Sequence, residues 1–415
     1  MKHLTCAMAL TVALANAAGA ADTGGGLEEI VVTAQKRTEN LQDVPMSITA
    51  LDAKVLERIG AVDFTDYAAH VPNLAFAYAH SGQLGSRQIA LRGVYGAGTT
   101  GFYIDDTPVP ESMDPLIADI DRIEVLRGPQ GTLYGARSMG GTVKLITRQA
   151  DATRNAAGLH TTVSNTEHGS FNYLADAWAN LVLVDSDAAV RVSGYREFDS
   201  GVFTRVAGLQ PALPADTPFT QFPPHHGVDD QGVSGGQILG MFRFLDGDLI
   251  IRPRVALQHL AIDGFALADD RPDNFTQVRL FDLNEPGWDD WQHYSLTING
   301  HTGAGDIVSS TALFRRGFEN WEDYSEEAVL LFGIPPTPAL IHAINHTRRF
   351  VHETRFVSAF SGPVQFTGGI FYANTLDRRD FPADNTIAGL NDFFGGAFGT
   401  DVVFSQASRT VTREA

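Results

Sequence analysis

The side chains best suited to metal or proton chemistry are histidines: the His225-His226 pair and the scattered His259, His293, His301, His342, His346 and His352. None has ligand spacing, and His352-Glu353 lacks the second histidine of an H-E-x-x-H helix. Asp105-Asp106 and Asp289-Asp290 are acid pairs, but adjacent residues of a strand face opposite ways, which makes poor general acid/base dyads. Gly96-Ala97-Gly98-Thr99-Thr100-Gly101 spells G-x-G-x-x-G. A dinucleotide site needs a helix to start there, whereas Phe102 to Asp105 reads as a strand. No phosphate-binding G-x-x-x-x-G-K-[ST], nucleophile elbow or triad occurs. The expectation is no catalytic residue, no metal site and no cofactor: a chain that is not an enzyme.

The elements around these residues read as exported and β-rich. There are 49 acidic and 30 basic residues, a net charge of -19, in 415 residues, which excludes the basic surface a nucleic-acid partner requires. Gly (41) and Phe (26) are plentiful, and no run beyond residue 20 is apolar enough for a membrane helix. Lys2 and His3, the apolar stretch Leu4 to Ala15 and Ala18-Gly19-Ala20 form a signal-peptide pattern over residues 1–20. Cleavage there removes Cys6, the single cysteine, so disulfides are not expected.

Residues 21–43 are a polar leader around the β-branched run Glu28 to Ala34, a strand without a local partner that is either the first strand of a domain or an edge kept free to pair with another protein by strand addition. Residues 44–150 read as a small α+β domain. Asp52 caps a helix from Ala53 to Ile59 that Gly60 ends, and Asp63 starts a second helix. Gln88 to Val94 reads as a strand partnered by Phe102 to Asp106. Ile120 to Thr147 carries Gly128, Gly131, Gly135, Gly140 and Gly141 at irregular spacing between two β-type runs, a sign of tight turns and close backbone approach rather than a helix. After Ala150 about ten strand-like runs follow, from Leu159–Val163 to Val402–Ser405. Tight turns such as Leu245-Asp246-Gly247-Asp248 alternate with long polar loops such as Asp199 to Gly236 and Asp263 to Asp290, the rhythm of an outer-membrane barrel. A soluble β-sandwich or propeller is the other reading of that rhythm.

From the first residue to about Arg148 the chain resembles TonB-dependent outer-membrane receptors. EEIVVTAQKR resembles the TonB box, VPMSITALDAKVLERIGAVDFTDYAAHVPNL the opening of the plug, and IALRGV the Arg-Gly pair, here Arg92-Gly93. FYIDDTPV carries Asp106 where a glycine is expected, which implies a different turn, and IDRIEVLRGPQGTLYGARSMGGTVKLIT follows the plug signature throughout. The resemblance implies an α+β plug domain (44–150) followed by antiparallel transmembrane β-barrel strands (151–415) of a 22-stranded barrel. About half of those strands are present, so a fragment of a longer protein is expected. It also implies location in the Gram-negative outer membrane, in contact with its lipid, and import of a ferric siderophore or other bulky solute. TonB and its inner-membrane energising complex would grip Glu29, Ile30, Val31, Val32, Thr33 and Ala34. Ligand would meet the plug apex at Tyr78, His80, Gln83, Tyr95 and Thr99, and Arg92, Glu124 and Arg127 would form plug–barrel ion pairs. The alternatives are a passive or non-transporting barrel and, further off, a secreted soluble β-rich enzyme.

Overall fold

The computed structural model describes residues 31–33, 36–37, 39–78, 86–134, 137–267, 274–362, 364–382, 385–397, 399–402 and 405–414. The leader contributes β1 (Val31–Val32) and β2 (Glu39–Asn40), paired antiparallel. The plug then runs β3 (Ser47–Asp52), α1 (Ala53–Ile59), α2 (Phe64–Ala68), β4 (Leu74–Tyr78), β5 (Arg87–Leu91), β6 (Thr100–Ile104), β7 (Thr107–Val109), β8 (Ile120–Arg127), α3 (Gly131–Tyr134) and β9 (Gly141–Thr147). The helix caps match the sequence reading. The Asp52 carboxylate accepts from the Val55 N–H, Gly60 closes α1 at φ 66°, and Asp63 with Asp66 forms a capping box on α2.

Two local expectations change. Strand β5 pairs with β4, not with β6. Strand β6, buried at all five positions, instead lies between β9 and β7 in a five-stranded sheet of order β3-β8-β9-β6-β7. An all-buried strand needs neighbours on both edges, and the parallel partner it finds, β9, is some forty residues away and cannot be read from proximity. The glycine-rich stretch also contains one helical turn, α3, besides its tight turns. Gly141 shows the close approach that was expected: its φ is 150°, and a β-carbon there would sit 2.2 Å from the Leu126 carbonyl oxygen and 2.8 Å from Leu91 Cδ1.

After the plug come β10 (Ala156–Asn165), β11 (Phe171–Val184), β12 (Ala188–Asp199), β13 (Thr204–Ala207), β14 (His225–His226), β15 (Gln231–Phe244), β16 (Leu249–Ile262), β17 (Thr276–Arg279), β18 (Gly287–Thr302), β19 (Gly305–Asp323), α4 (Ser325–Phe332), β20 (Leu340–Ser358), β21 (Thr367–Phe381), α5 (Leu390–Phe393) and β22 (Gln406–Glu414). Ten of these strands form one antiparallel sheet, each paired with the next (β10-β11-β12-β15-β16-β18-β19-β20-β21-β22), a curved and unclosed wall around the plug. Strands β13, β14 and β17 make a separate small sheet inside the long loops, with β13 and β17 parallel. Short connections lie at one end of the wall, long loops at the other.

Side chains alternate along every wall strand. In β15, Gln237, Leu239 and Met241 are buried toward the plug while Ile238 is 55% exposed on the other face. Val255, Leu257, Leu296, Ile307, Phe350 and Ile370 continue that exposed apolar face across the wall. No helix among the described residues is long and apolar enough to cross a membrane, which does not bear on strands. Plug and wall share one core: Phe64, Phe102, Val125 and Leu145 of the plug pack with Ala256, Trp291 and Phe314 of the wall.

Replacing Gly141 with alanine places its Cβ against the Leu126 carbonyl and strains a left-handed backbone, a cost of about 2–3 kcal/mol. Denaturant unfolding in detergent, followed by tryptophan emission, should show that loss, whereas Gly131→Ala, where a Cβ meets nothing within 4 Å, should unfold within ~1 kcal/mol of wild type.

Candidate functional site: the leader, the plug and the wall

The leader is docked rather than free. Val32 is fully buried with Val44 against Leu41, Met46, Ile48 and Ala50. The next residue, Thr33, enters a polar cluster on the plug sheet. Its N–H and Oγ1 donate to the Glu124 carboxylate (2.8 and 3.0 Å), Lys144 Nζ donates to its Oγ1 (2.8 Å), and the Tyr134 hydroxyl donates to its carbonyl (3.2 Å). Glu124 and Lys144 are buried, and Arg122 Nε adds a 2.8 Å contact to Glu124. Three residues further the leader reaches the wall: Lys36 Nζ lies 2.7 Å from Glu353 of β20, and Arg37 Nε donates to Thr367 Oγ1 of β21 (3.0 Å). Glu29, Ile30 and Ala34 lie outside the described residues.

The plug-to-wall ion pairs are made by residues other than Arg92, Glu124 and Arg127. Arg92, Glu124 and Arg127 are used within the plug and leader. Arg127 donates to Thr49 Oγ1 (3.0 Å) and the Pro72 carbonyl (3.3 Å), Arg92 at φ 52° lies over Gly128, and Glu124 faces Thr33. The physical reason is topological. Strand β8 sits inside the plug sheet between β3 and β9, so Glu124 and Arg127 have plug strands on both sides. Two pairs to the wall come from plug acids in turns and at sheet ends, with the cations on the wall, while Arg137 of the plug to Glu414 of β22 (3.6 Å) runs the other way. Asp119 meets the Arg191 guanidinium of β12 through two hydrogen bonds, and Asp106 meets Arg355 of β20 at 3.2 Å. Arg316 of β19 donates to Ser112 Oγ (2.9 Å) and the Ser112 carbonyl (3.1 Å) while held by Asp289 of the neighbouring strand. Gln258 of β16 accepts from the Leu116 N–H (2.9 Å) and donates to the Asp114 carbonyl (2.7 Å).

The two acid pairs divide for different reasons: Asp105-Asp106, expected in a strand, forms the turn between β6 and β7, whereas Asp289-Asp290 lies in β18 and alternates. Asp105, at φ 51°, turns back to accept from the Thr147 N–H (2.9 Å) and hydroxyl (2.9 Å), while Asp106 faces the wall. Asp289 points inward to Arg316, and Asp290 points outward to His259 (2.7 Å). Burial alone would push the Asp106 carboxyl up, but Arg355, with Lys36 and Lys144, holds it well below the usual carboxylate range. The wall arginines carry a signal in the sequence that was not used: each stands at an inward position of an alternating strand, as Arg191 does between Val190 and Val192.

At the loop end, Tyr78 and Tyr95 are exposed, and Thr99 bonds to the Gly96 carbonyl within its own turn (2.8 Å). His80 and Gln83 lie outside the described residues. Tyr78 borders a cavity of about 270 Å³ between plug and wall, with Arg87, Asp114, Glu197, Phe265 and Asp289 on its lining. A second cavity of about 670 Å³ opens at the turn end, between Lys36, Asp106 and Lys144 on one side and Arg252 and Arg355 on the other. Among the described residues no three His, Cys, Asp or Glu side chains gather as metal ligands.

The long loops are pinned by buried charge. Arg205 of β13 meets Glu285 and the Leu283 carbonyl, Glu285 accepts from the Asp323 N–H (2.8 Å), and Glu326 of α4 accepts from the Leu280 N–H (2.8 Å). Burial, then the Asp323 carboxylate, pushes Glu326 up to about 7.

These features define a class: a small α+β plug, with its leader strand attached, held by ion pairs against the inner face of an antiparallel wall whose outer face is apolar. Residues 40–142 match the family model "TonB-dependent Receptor Plug Domain". The chain therefore carries a plug domain similar to those of TonB-dependent outer-membrane receptors, joined to a wall of the same fold as theirs. The iron-regulated outer membrane virulence protein of Vibrio cholerae is 32% identical over 136 residues, 29% of this chain and 20% of that protein. The pesticin receptor of Yersinia pestis is 32% identical over 132 residues, 30% of this chain and 19% of that one. Among solved structures, the ferric yersiniabactin uptake receptor FyuA from Yersinia pestis superposes with a TM-score of 0.66 at 17% identity, covering 81% of this chain and 49% of that chain. The ferripyoverdine receptor of Pseudomonas aeruginosa superposes at 0.62 and 15% identity, covering 92% and 50%. The chain thus spans about half the length of these solved receptors. At such identities the superpositions speak for the fold, which is a plug with part of a barrel wall.

Two outcomes test the site. Arg355→Gln leaves Asp106 and Glu353 without their shared cation and should lower unfolding stability by about 3 kcal/mol at pH 7. Adding Asp106→Asn to it should recover part of that loss, a non-additivity that a double-mutant cycle of urea unfolding reads directly. A folded-state carboxyl raised to about 7 takes up a proton that the unfolded chain releases, so the contribution of Glu326 to stability falls as pH rises from ~4.5 to ~7. Protease cleavage of the α4 loop should therefore be slower at pH 5.5 than at pH 8, and Glu326→Gln should remove the difference.

Proposed function

We propose that this chain is the plug and N-terminal wall of an active outer-membrane importer, energised through its leader strand by TonB and the inner-membrane complex behind it. In this reading the long loops face the exterior and the short turns the periplasm. The single observation that carries it is the attachment of the leader. Val31–Val32 is a two-residue strand fastened by Val32 and by the hydrogen bonds of the next residue, Thr33, to Glu124 of β8, Lys144 of β9 and Tyr134 of α3. A pull on such a segment loads β8 and β9, the sheet's central strands, directly. A passive barrel has no use for that linkage.

The cargo class that best fits the relatives is a ferric siderophore: proteins with plug similarity include a ferric enterobactin receptor of Pseudomonas aeruginosa, 33% identical over 164 residues. A vitamin B12 transporter of Vibrio vulnificus is also similar, at 24% identity, which keeps other bulky solutes in view. Cargo would arrive on the plug apex near Tyr78, Tyr95 and Thr99, at the mouth of the 270 Å³ cavity that Tyr78 borders. Outer-membrane location agrees with the exposed apolar face of the wall.

A peptide spanning Glu28 to Arg37 should capture the C-terminal domain of TonB from solution by strand addition, and Val31→Pro should abolish capture by removing a ladder donor and fixing φ. Equal capture by the proline peptide, or none by the native one, would count against energised import.

A further inference from the structure

Two arginines of the wall face the turn-end cavity with only neutral partners. Arg252 and Arg254 stand two residues apart on β16, so both project inward, and both line the cavity. Arg252 donates to Asn299 Oδ1 (2.9 Å). Arg254 is buried and donates to Gln237 Oε1 (3.0 and 2.9 Å) and to His293 Nδ1 (2.7 Å). A guanidinium N–H can only donate, so His293 accepts at Nδ1 and its ring is neutral. Neither arginine forms a salt bridge among the described residues. A guanidinium drawn out of water in this way keeps an unmet demand for an anion.

Register sets hydroxyls beside them. Thr297 of β18 lies directly opposite Arg252, Ser295 lies opposite Arg254, and Ser310 of β19 lies opposite Thr297. Residues directly opposite have Cβ atoms about 5 Å apart, so one bound group can reach a guanidinium and a hydroxyl together. Ser295, Thr297 and Ser310 all line the cavity, and among the described residues none of their hydroxyls is bonded to another side chain or carbonyl. Planar forks flanked by free hydroxyls are a donor set matched to an oxyanion.

The acids of the same cavity are engaged elsewhere. Asp105 accepts from the Thr147 N–H and hydroxyl, Asp106 is paired with Arg355, and Asp306 with His301 (2.6 Å). Six lining side chains are Lys or Arg against five Asp or Glu, the reverse of a chain whose net charge is -19. The volume of about 670 Å³ lies within the range of small-molecule sites, about 300–1,000 Å³, and suits an organic molecule better than a lone inorganic ion. Thr33, Lys36 and Arg37 of the leader form part of the lining, so a shift of the leader changes access from the turn end.

We propose that Arg252 and Arg254, with the hydroxyls of Ser295, Thr297 and Ser310, form an oxyanion subsite for a small organic polyanion on the exit side of the plug. There the acidic groups of an anionic cargo are held after the apex and before release. That role in transit rests on the import reading above; the binding itself does not.

The test uses the full receptor in a zwitterionic detergent and equilibrium dialysis against two labelled probes, propane-1,2,3-tricarboxylate and pyrophosphate. Wild type should bind one or both saturably, and the tighter probe identifies the oxyanion. Arg252→Gln should weaken that binding about tenfold and Arg252→Lys by less, because an ammonium keeps the charge and loses the fork. Thr297→Val removes a hydroxyl at nearly constant volume and should weaken binding about threefold, which keeps the site testable if Arg252→Gln does not fold. A retained heat-modifiable gel shift shows that each variant's barrel is intact. The neutral propane-1,2,3-tricarboxamide should not bind. No saturable binding by wild type, or binding undiminished in both Arg252→Gln and Thr297→Val, overturns the proposal and leaves the import reading standing. Failure of the leader peptide to capture TonB counts against import and leaves the anion site measurable.

Discussion

The wall carries arginines on its inner face, and a guanidinium removed from water must find anions or carbonyls there. Arg191, Arg316 and Arg355 each project inward from a different strand, and each finds a partner on the plug: Asp119, Ser112 and Asp106. These contacts set the orientation of the plug, because acids in turns and at sheet ends can meet fixed cations in few ways. The shared apolar core around Phe102, Trp291 and Phe314 supplies burial energy, which is not directional, whereas the ion pairs are. Departure of the plug would leave several buried charges unpaired at once. Small displacements exchange one polar partner for another at lower cost.

One run of contacts joins all three parts of the molecule. Lys36 on the leader meets Glu353 on the wall, Glu353 meets Arg355, and Arg355 meets Asp106 on the plug. Through Thr33 the same leader is bonded to Glu124 and Lys144 in the plug sheet. Leader, plug and β20 are therefore coupled by hydrogen bonds and charge, with little apolar area under the leader beyond Val32. A segment held this way can be released locally without unfolding the sheet it rests on.

The two faces of the wall obey different solvents. Inward positions take Gln, Asn, Arg and Asp that the plug can satisfy, while outward positions are largely apolar through the middle of the strands, apart from the hydrogen-bonded pairs Ser309–Thr354 and Thr311–His352, and become aromatic or charged toward the loop end. The acidic excess of the chain is thus unevenly spread.

Much of this was legible in the residues. Asp52, Gly60 and Asp63 determine where α1 and α2 begin and where α1 ends, because capping is a local bond between a side chain and its own helix terminus. Alternation specified wall strands, because a period of two needs only neighbouring residues, and the glycines after Arg127 announced a close approach that Gly141 makes. What sequence alone could not decide was partnership at long range. That β6 pairs with β9 and not with β5, and that Glu124 serves Thr33 while Asp106 and Asp119 serve the wall, depends on which strands become neighbours only after the chain has folded. Local propensity determined the pieces and their two-faced pattern; tertiary structure decided which charges meet, since a buried charge is satisfied by whatever stands next to it in space.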